Sequence, residues 1–239
     1  MDILRKAALF SGMARPAVET VLRTSQEMKR ADRAFFFLEG DPAERVFVLA
    51  AGKVKLSQVT ESGQQVILGY LSPGRVYGIV ALLEDATYPV SAQAVGSCVA
   101  RFWTHEELHR LMVDFPQITT NAMLIMAGQI RQFQSIVTDL ATRRVEQRIA
   151  RAILRLARQS GRKTEAGILI DLPLSRQDLA EMTGTTLYTV SRVLTEWEKQ
   201  NIARSKRRQI IITNPHGLVT IAEDLPTGEQ PTVWVDGGT

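Results

Sequence analysis

The stretch Ser175-Arg-Gln-Asp-Leu-Ala-Glu-Met-Thr-Gly-Thr-Thr-Leu-Tyr-Thr-Val-Ser-Arg-Val-Leu194 decides how this chain is read. It predicts two short helices joined by a tight turn. Ser175 and Asp178, three residues apart, form a capping pair whose side-chain oxygens satisfy the orphan N–H groups of a helix start. Leu179, Ala180 and Thr183, followed by Val190, Val193 and Leu194, recur at helical spacing and give an inward face. Ala180 is small enough for a close helix crossing. Gly184 stands where the chain must reverse, and a turn at positive φ favours glycine. Thr185 or Thr186 then caps a second helix that runs to about Lys199. This is the pattern of a helix-turn-helix, whose second helix enters the DNA major groove by its N-terminal residues.

Two helices in this pattern also fit a plain helical hairpin, and the residues beyond Lys199 tip the balance. Asn201-Ile-Ala203 leads into Arg204-Ser-Lys-Arg-Arg208 and then Gln209-Ile-Ile-Ile212. A cationic turn before a β-branched run predicts a wing hairpin. Lys206, Arg207 and Arg208 at its tip read either as a solvated turn or as phosphate contacts; a neighbouring helix-turn-helix favours the second.

Charge distribution points the same way. The chain has 239 residues and a net charge of +4. From Arg143 to Thr213 there are 15 Lys/Arg against 7 Asp/Glu, whereas the residues before Arg143 hold 14 of each. A positive field gathered on one segment is the footprint of nucleic-acid binding. The length suggests two domains, and 45% hydrophobic with 23% charged residues is ordinary for a soluble globular protein. No apolar run approaches a membrane span, and the start MDILRKAALF lacks a signal-peptide pattern, so a cytoplasmic protein is expected. Cys98 is the single cysteine, which excludes an internal disulfide and a four-thiolate cluster. There is no phosphate-binding glycine loop, nucleophile elbow or zinc-hydrolase motif, so the chain is not expected to be an enzyme.

Working outward, residues 1 to about 30 read as helical, with Leu4, Ala8 and Leu9 on one apolar face and Val18, Val21 and Leu22 continuing it. From Arg33 to Trp103 the pattern changes to short runs: 34–38, 46–49, 53–56, 66–71, 91–95 and 98–103. Turns at Gly40, Gly52, Gly63 and Gly74 punctuate them. Strands at this spacing predict an antiparallel barrel or jelly roll. Thr104 with Glu107 caps the next helix. After Pro116 a long helix carries Met123, Met126, Ile130, Phe133, Val137 and Leu140 at spacings of 3, 4, 3, 4 and 3. That narrow heptad seam predicts a coiled-coil dimer interface; the plainer alternative is an amphipathic helix packed on its own barrel. Residues 145–159 form another amphipathic helix, with Ile149, Ile153, Leu154 and Leu156 inward and Arg148, Arg151, Arg155 and Arg158 mostly outward. Residues 160–167 read as a loop and 168–172 as a strand. The Pro- and Gly-rich tail 225–239, with Trp234, reads as poorly ordered.

In this order the chain resembles the cyclic-AMP receptor protein/fumarate-nitrate regulator (Crp/Fnr) family of bacterial transcription factors. The likeness covers residues 1 to about 220. It rests on Leu9-Phe-Ser-Gly12, Glu39-Gly-Asp-Pro42, Ala51-Gly-Lys-Val-Lys55, Leu71-Ser-Pro-Gly74, Ser175-Arg-Gln-Asp-Leu-Ala180 and Thr189-Val-Ser-Arg-Val-Leu194. It implies an α+β fold: a cyclic-nucleotide-binding-like jelly roll in residues 1–115, a dimerisation helix in 116–142 and a winged helix-turn-helix in 143–224. It also implies a homodimer on double-stranded DNA, acting on RNA polymerase, more often as activator than repressor.

The resemblance leaves the signal open. Members that bind cyclic AMP hold ribose and phosphate with Gly-Glu and a later Arg-Ser. Here the segments read Tyr77-Gly-Ile-Val-Ala81 and Thr87-Tyr-Pro-Val-Ser91, with isoleucine for the glutamate and no arginine fork for an anion. The iron–sulfur sensors use N-terminal cysteines, and none precedes Cys98. Neither signal is expected. The segment Ala92-Gln-Ala-Val95, with the Asp85/Tyr88 turn, is similar to the branch that responds to nitric oxide, some of whose members bind haem. The cofactor therefore stays unknown, and a member needing no ligand is equally admissible. His105 and His109, four apart on one helix face, have a spacing that can ligate a metal; the plainer reading is two surface histidines, since no third ligand is evident. Cys98 reads as a small core residue, with a redox-sensitive thiol as the other possibility.

For DNA contact the expected residues are Arg176, Thr186, Leu187, Tyr188, Thr189, Ser191 and Arg192, with Lys206, Arg207 and Arg208 from the wing. Leu187 and Tyr188 lie one turn before Ser191 and Arg192 and share a face. Arg192 is the candidate for two hydrogen bonds to guanine. Family members with Glu-x-x-Ser-Arg read a TTGAT-like half-site. Tyr188 stands at the glutamate position, and a phenol cannot accept from cytosine as a carboxylate does.

Overall fold

The computed structural model describes residues 2–206 and 208–225. Arg207 and the segment 226–239, with Trp234, lie outside the described residues. The chain divides into one compact unit up to Val137 and a second from Thr138 onward.

The first unit opens with α1 (Asp2–Arg5), a 3-10 turn (Ala8–Phe10) and α2 (Arg15–Thr24). The 3-10 turn rotates the face that a continuous helix would have shown, so Ala7 is buried with Leu4, Leu9 and Phe10 while Ala8 is exposed. The expected helical segment also ends early. Residues 26–30 form β1 (Gln26–Arg30), a polar edge strand with no apolar alternation to announce it. The sheet continues with β2 (Phe35–Phe37), β3 (Arg45–Val59), β4 (Gln65–Leu71), β5 (Val76–Tyr77) and β6 (Ser91–Thr104). Their order is β1-β6-β3-β4, with β2 on β6 and β5 on β3.

Four of the expected strands are two. The stretches 46–49 and 53–56 are one bent strand, β3, and 91–95 and 98–103 are one bent strand, β6. The β3–β6 register shifts between Leu49 and Lys53. Gly52 takes φ +87° there, and a Cβ on it would come within 2.5 Å of the Cys98 sulfur. A bulge with a left-handed glycine bends a strand without ending it. Each long strand therefore lies along both halves of the barrel.

Aromatic side chains fill the interior. Phe47 stacks on Tyr77 at 5.0 Å and Phe37 on Tyr88 at 3.7 Å, with Phe36 edge-on to Phe47 and Tyr77. The Tyr88 hydroxyl donates to the Arg45 carbonyl at 2.8 Å and accepts from the Arg45 N–H at 3.0 Å. Cys98 is buried, and its thiol donates to the Lys53 carbonyl at 2.9 Å.

Thr104 caps α3 (His105–Asp114) in a full capping box with Glu107. The Thr104 N–H, donating to the Glu107 carboxylate, holds that acid below its usual range. Next comes α4 (Pro116–Thr142). Its first turns belong to the barrel core through Ile118 and Ala122, and Asn121 donates to the carbonyls of Leu9 and Ser11, both at 2.9 Å. No described helix is long and apolar enough to cross a membrane.

The second unit holds the last turn of α4, then α5 (Val145–Ser160), β7 (Gly161–Thr164), β8 (Gly167–Ile170), α6 (Arg176–Thr183), α7 (Leu187–Lys199), β9 (Ala203–Lys206), β10 (Gln209–Ile212) and α8 (Pro215–Glu223). The expected loop 160–167 is a hairpin. Gly161–Thr164 is wholly exposed, held by its ladder with β8 and by the Gly161 N–H on the Ala157 carbonyl, so it carries no hydrophobic signal. The sheet order is β7-β8-β10-β9. Helix α8 starts at a local device, Asn214 as cap with Pro215 in the first turn.

Ile149, Ile153 and Leu156 of α5 are buried with Leu179, Val190, Leu194 and Trp197. Trp197 is fully enclosed and donates its indole N–H to Glu146 at 2.8 Å, tying α7 to α5. Trp197→Ala is expected to cost about 3–5 kcal/mol through the cavity it leaves. Trp197→Phe keeps most of the ring volume but loses the hydrogen bond, and should cost about 1–2 kcal/mol. Urea unfolding followed by circular dichroism measures both; equal losses would refute packing as the main contribution.

Candidate nucleic-acid interface

The geometry of the two helices follows from their ends. Ser175 accepts from the Asp178 N–H at 3.0 Å, and the Asp178 carboxylate accepts from the Ser175 N–H at 2.7 Å. Gly184 takes φ +59°, and its N–H, like that of Thr185, is directed to the Ala180 carbonyl. Thr186 caps α7, its hydroxyl accepting from the Thr189 N–H at 3.2 Å and sharing a hydrogen bond with the Thr189 hydroxyl. These two threonines are thus engaged in holding the start of the helix. Arg148 completes the corner. Its guanidinium donates to the carbonyls of Thr183 at 3.0 Å and Gly184 at 3.2 Å. A cation at the C-terminal end of α6 satisfies orphan carbonyls and complements the helix dipole.

The periodicity of α5 places its arginines mostly outward, and the structure turns three of them in. Asp139, with a side chain 6% exposed, lies 2.7 Å from both Arg151 and Arg155. Arg151 also reaches Glu223 of α8, and Arg144 reaches Asp224, at 2.5 Å each. These acids flank the basic segment in sequence and fold onto it. Adding Asp139, Glu223 and Asp224 reduces the excess of cations over residues 138–225 to +5.

Several cations of this unit pair with no carboxylate among the described residues, Arg158, Arg162, Lys163 and Arg204 among them, and the cations expected to meet DNA are of this kind. Arg176, Arg192, Lys206 and Arg208 engage no carboxylate among the described residues. Arg192, Lys206 and Arg208 are exposed and Arg176 is half-buried. Tyr188 is 77% exposed and Leu187 beside it is also exposed, whereas Thr189 and Ser191 are half-buried. On the opposite face of the same helix, Val190, Leu194 and Trp197 are buried. The wing is the β9–β10 hairpin, where Lys206 pairs with Gln209 and Arg208 takes φ +64°. The surface therefore offers cations, a phenol and an aliphatic side chain from one helix start and one hairpin. It can meet phosphates and base edges together. Arg207 cannot be placed, since it lies outside the described residues.

In the barrel, the two segments marked for nucleotide contacts carry buried apolar side chains, Ile79, Ala81 and Tyr88. Burial, and secondarily Cys98, pushes the Tyr77 phenol far up, and its hydroxyl is buried without a hydrogen-bond partner among the described residues. Along α4, Met123, Ile130, Phe133, Val137 and Leu140 are exposed, and Met126 is half-buried. On α3 the rings of His105 and His109 lie 5.1 Å apart.

Comparison with known proteins agrees with both units. A cyclic nucleotide-binding domain family matches residues 29–115, and a Crp-like helix-turn-helix domain family matches residues 147–221. The chain is 30% identical to the global nitrogen regulator of Synechococcus elongatus over 195 residues, 81% of this chain and 87% of that protein. It is 26% identical to the transcriptional activator protein FnrA of Stutzerimonas stutzeri, over 86% of this chain and 83% of that one. The structure of FixK2 from Bradyrhizobium japonicum superposes with a TM-score of 0.73 at 25% identity, covering 83% of this chain and 97% of that chain. With a capped helix-turn-helix and wing in one unit and a jelly roll on the cyclic-nucleotide-binding plan in the other, this chain belongs to the Crp/Fnr family of DNA-binding transcription regulators.

Proposed function

We propose that the protein works as a homodimer that binds an inverted-repeat operator and is controlled by a signal received in its N-terminal barrel. The observation that carries this reading is the seam on α4. Five of its six apolar residues are exposed in the single chain, among them Val137 at 64% and Met123 at 59%. A heptad stripe of this kind is a partner surface, because its apolar area gains nothing while facing water. Two copies joined along it present two recognition helices about 34 Å apart, one turn of DNA, which fits a two-fold operator.

On that operator Arg192 reads guanine, Leu187 and Tyr188 lie against neighbouring bases, and Arg176, Lys206 and Arg208 hold phosphates. Thr186, Thr189 and Ser191 border the same contact. A phenol at Tyr188 suits a thymine methyl better than cytosine, so the half-site departs from TTGAT at that pair. The signal is neither cyclic AMP nor an N-terminal iron–sulfur cluster. Ile79 supplies no carboxylate and the segment 87–91 no guanidinium for a nucleotide, and no cysteine precedes Cys98. RNA polymerase is the partner that regulators of this family imply, and the cytoplasm the compartment.

Selection from a randomised inverted-repeat library, with untreated protein at physiological salt, tests the reading. Enrichment of a palindrome is expected, either without additions or only with nitric oxide or haem. Weak, salt-sensitive binding under every condition would overturn sequence specificity. Arg192→Ala is expected to lose about 1–3 kcal/mol of binding and to relax discrimination at one guanine. An equal loss on all sequences would make it a phosphate contact instead. Phe133→Glu should convert dimer to monomer in sedimentation and weaken operator binding by about a hundredfold or more, since two half-sites no longer act together. An unchanged sedimentation coefficient would exclude the seam as the interface.

A further inference from the structure

We infer that His105 and His109 form a bidentate site for a divalent transition-metal ion of borderline softness, such as Zn2+, Ni2+ or Cu2+. Three observations meet there. The first is ring placement. The two imidazoles lie one turn apart on α3, with centroids 5.1 Å apart and planes inclined by 41°. A metal–nitrogen bond of about 2.1 Å puts an ion about 3.2 Å from each ring centre, and a tetrahedral angle between ligands then separates the centres by roughly 5.2 Å. The separation of the ring centres matches what one shared ion requires, and rotation of the exposed His109 ring can bring its nitrogen to that ion.

The second is the proton on His105. Its Nδ1 lies 2.7 Å from the Ala81 carbonyl oxygen. A carbonyl only accepts, so Nδ1 carries the hydrogen, and Nε2 is the ring nitrogen whose lone pair an ion can take. Ligating histidines are oriented in this way, donating the other N–H to a carbonyl or carboxylate behind them. The third is access. His105 is half-buried and His109 exposed, so an ion can enter with water completing its shell. No third His, Cys, Asp or Glu joins the pair among the described residues. Two protein ligands make an open, exchangeable site, unlike the closed four-ligand sites that hold structural zinc.

The position gives the site a route into the barrel. Ala81 lies in the 3-10 turn Ile79–Leu82, and Ile79 and Ala81 are part of the barrel core. An ion on Nε2 strengthens the Nδ1–H as a donor and so tightens the bond from α3 to that turn. The site is independent of the DNA-binding proposal and survives its failure.

Calorimetric titration of the untagged full chain with Ni2+ and with Zn2+ tests it. One ion per chain is expected, together with a rise in thermal midpoint on adding the ion. His109→Gln alters an exposed side chain and should leave the fold intact. It should weaken binding about tenfold or more and abolish the thermal shift. His216→Gln, which changes the one histidine outside the pair, should leave both unchanged. Absence of saturable binding, binding unaltered by His109→Gln, or binding lost with His216→Gln would each overturn the site.

Discussion

A buried carboxylate fixes the frame of the DNA-binding unit. Asp139, on the last turn of α4, is enclosed between Arg151 and Arg155 of α5 at 2.7 Å each. Enclosing one unpaired charge costs several kcal/mol, so a carboxylate at this position demands its partners. With both guanidiniums engaged, the end of α4 is tied to α5 at two points. Arg151 passes the constraint on to α8 through Glu223. Arg148, one turn earlier on α5, holds the carbonyl end of α6. The turn of the helix-turn-helix is thus located by the same helix face that grips the end of α4. Leu140, the neighbour of Asp139, lies against that turn, and a Cβ added at Gly184 would come within 3.1 Å of its methyl group. Glycine at this position meets two demands, left-handed backbone and close approach of a side chain.

Pairing also separates two kinds of arginine that look alike in sequence. Arg144, Arg151 and Arg155 are neutralised by acids that stand outside the basic stretch, and they serve the frame. Arg192, Lys206 and Arg208 face water with no counterion among the described residues. A cation already paired with carboxylates has little left to offer a phosphate, whereas a free one releases a DNA counterion on binding. The charge count over a linear segment mixes these classes, and so it overstates the field that faces a ligand.

The parts legible in sequence are those decided by neighbours in the chain. Ser175 with Asp178, Gly184, Thr186 and the Thr104 box are local devices, and each is present where its residues placed it. Strands 91–95 and 98–103 were visible as β structure, yet their fusion through a bulge depends on pairing with β3 and left no mark in the alternation. Strand β1 was hidden because Gln26–Arg30 is an edge with polar residues on both faces. Of the interface, the exposed helix face could be read from periodicity. The inward role of Arg148, Arg151 and Arg155 could not, because their partners Thr183, Gly184, Asp139 and Glu223 are brought to them only by the fold.

The barrel interior bears on how a signal can act. Phe36, Phe37, Phe47, Tyr77 and Tyr88 occupy it in mutual contact, and a guest there must displace rings that together bury several hundred square ångströms, on the order of 150–250 Å² each. Among the described residues, the Tyr77 hydroxyl is a buried group beside these rings that would gain from a guest. Left without a partner, it costs the fold about 1–3 kcal/mol, far less than repacking the rings would. A signal that acts from the outside avoids that repacking. The turn carrying Ile79 and Ala81 is reachable from the surface through His105, so a change there can press on the aromatic core without opening it. For the signal proposed above, the exposed junction between α3 and this turn is a cheaper place to act than the ring-packed interior.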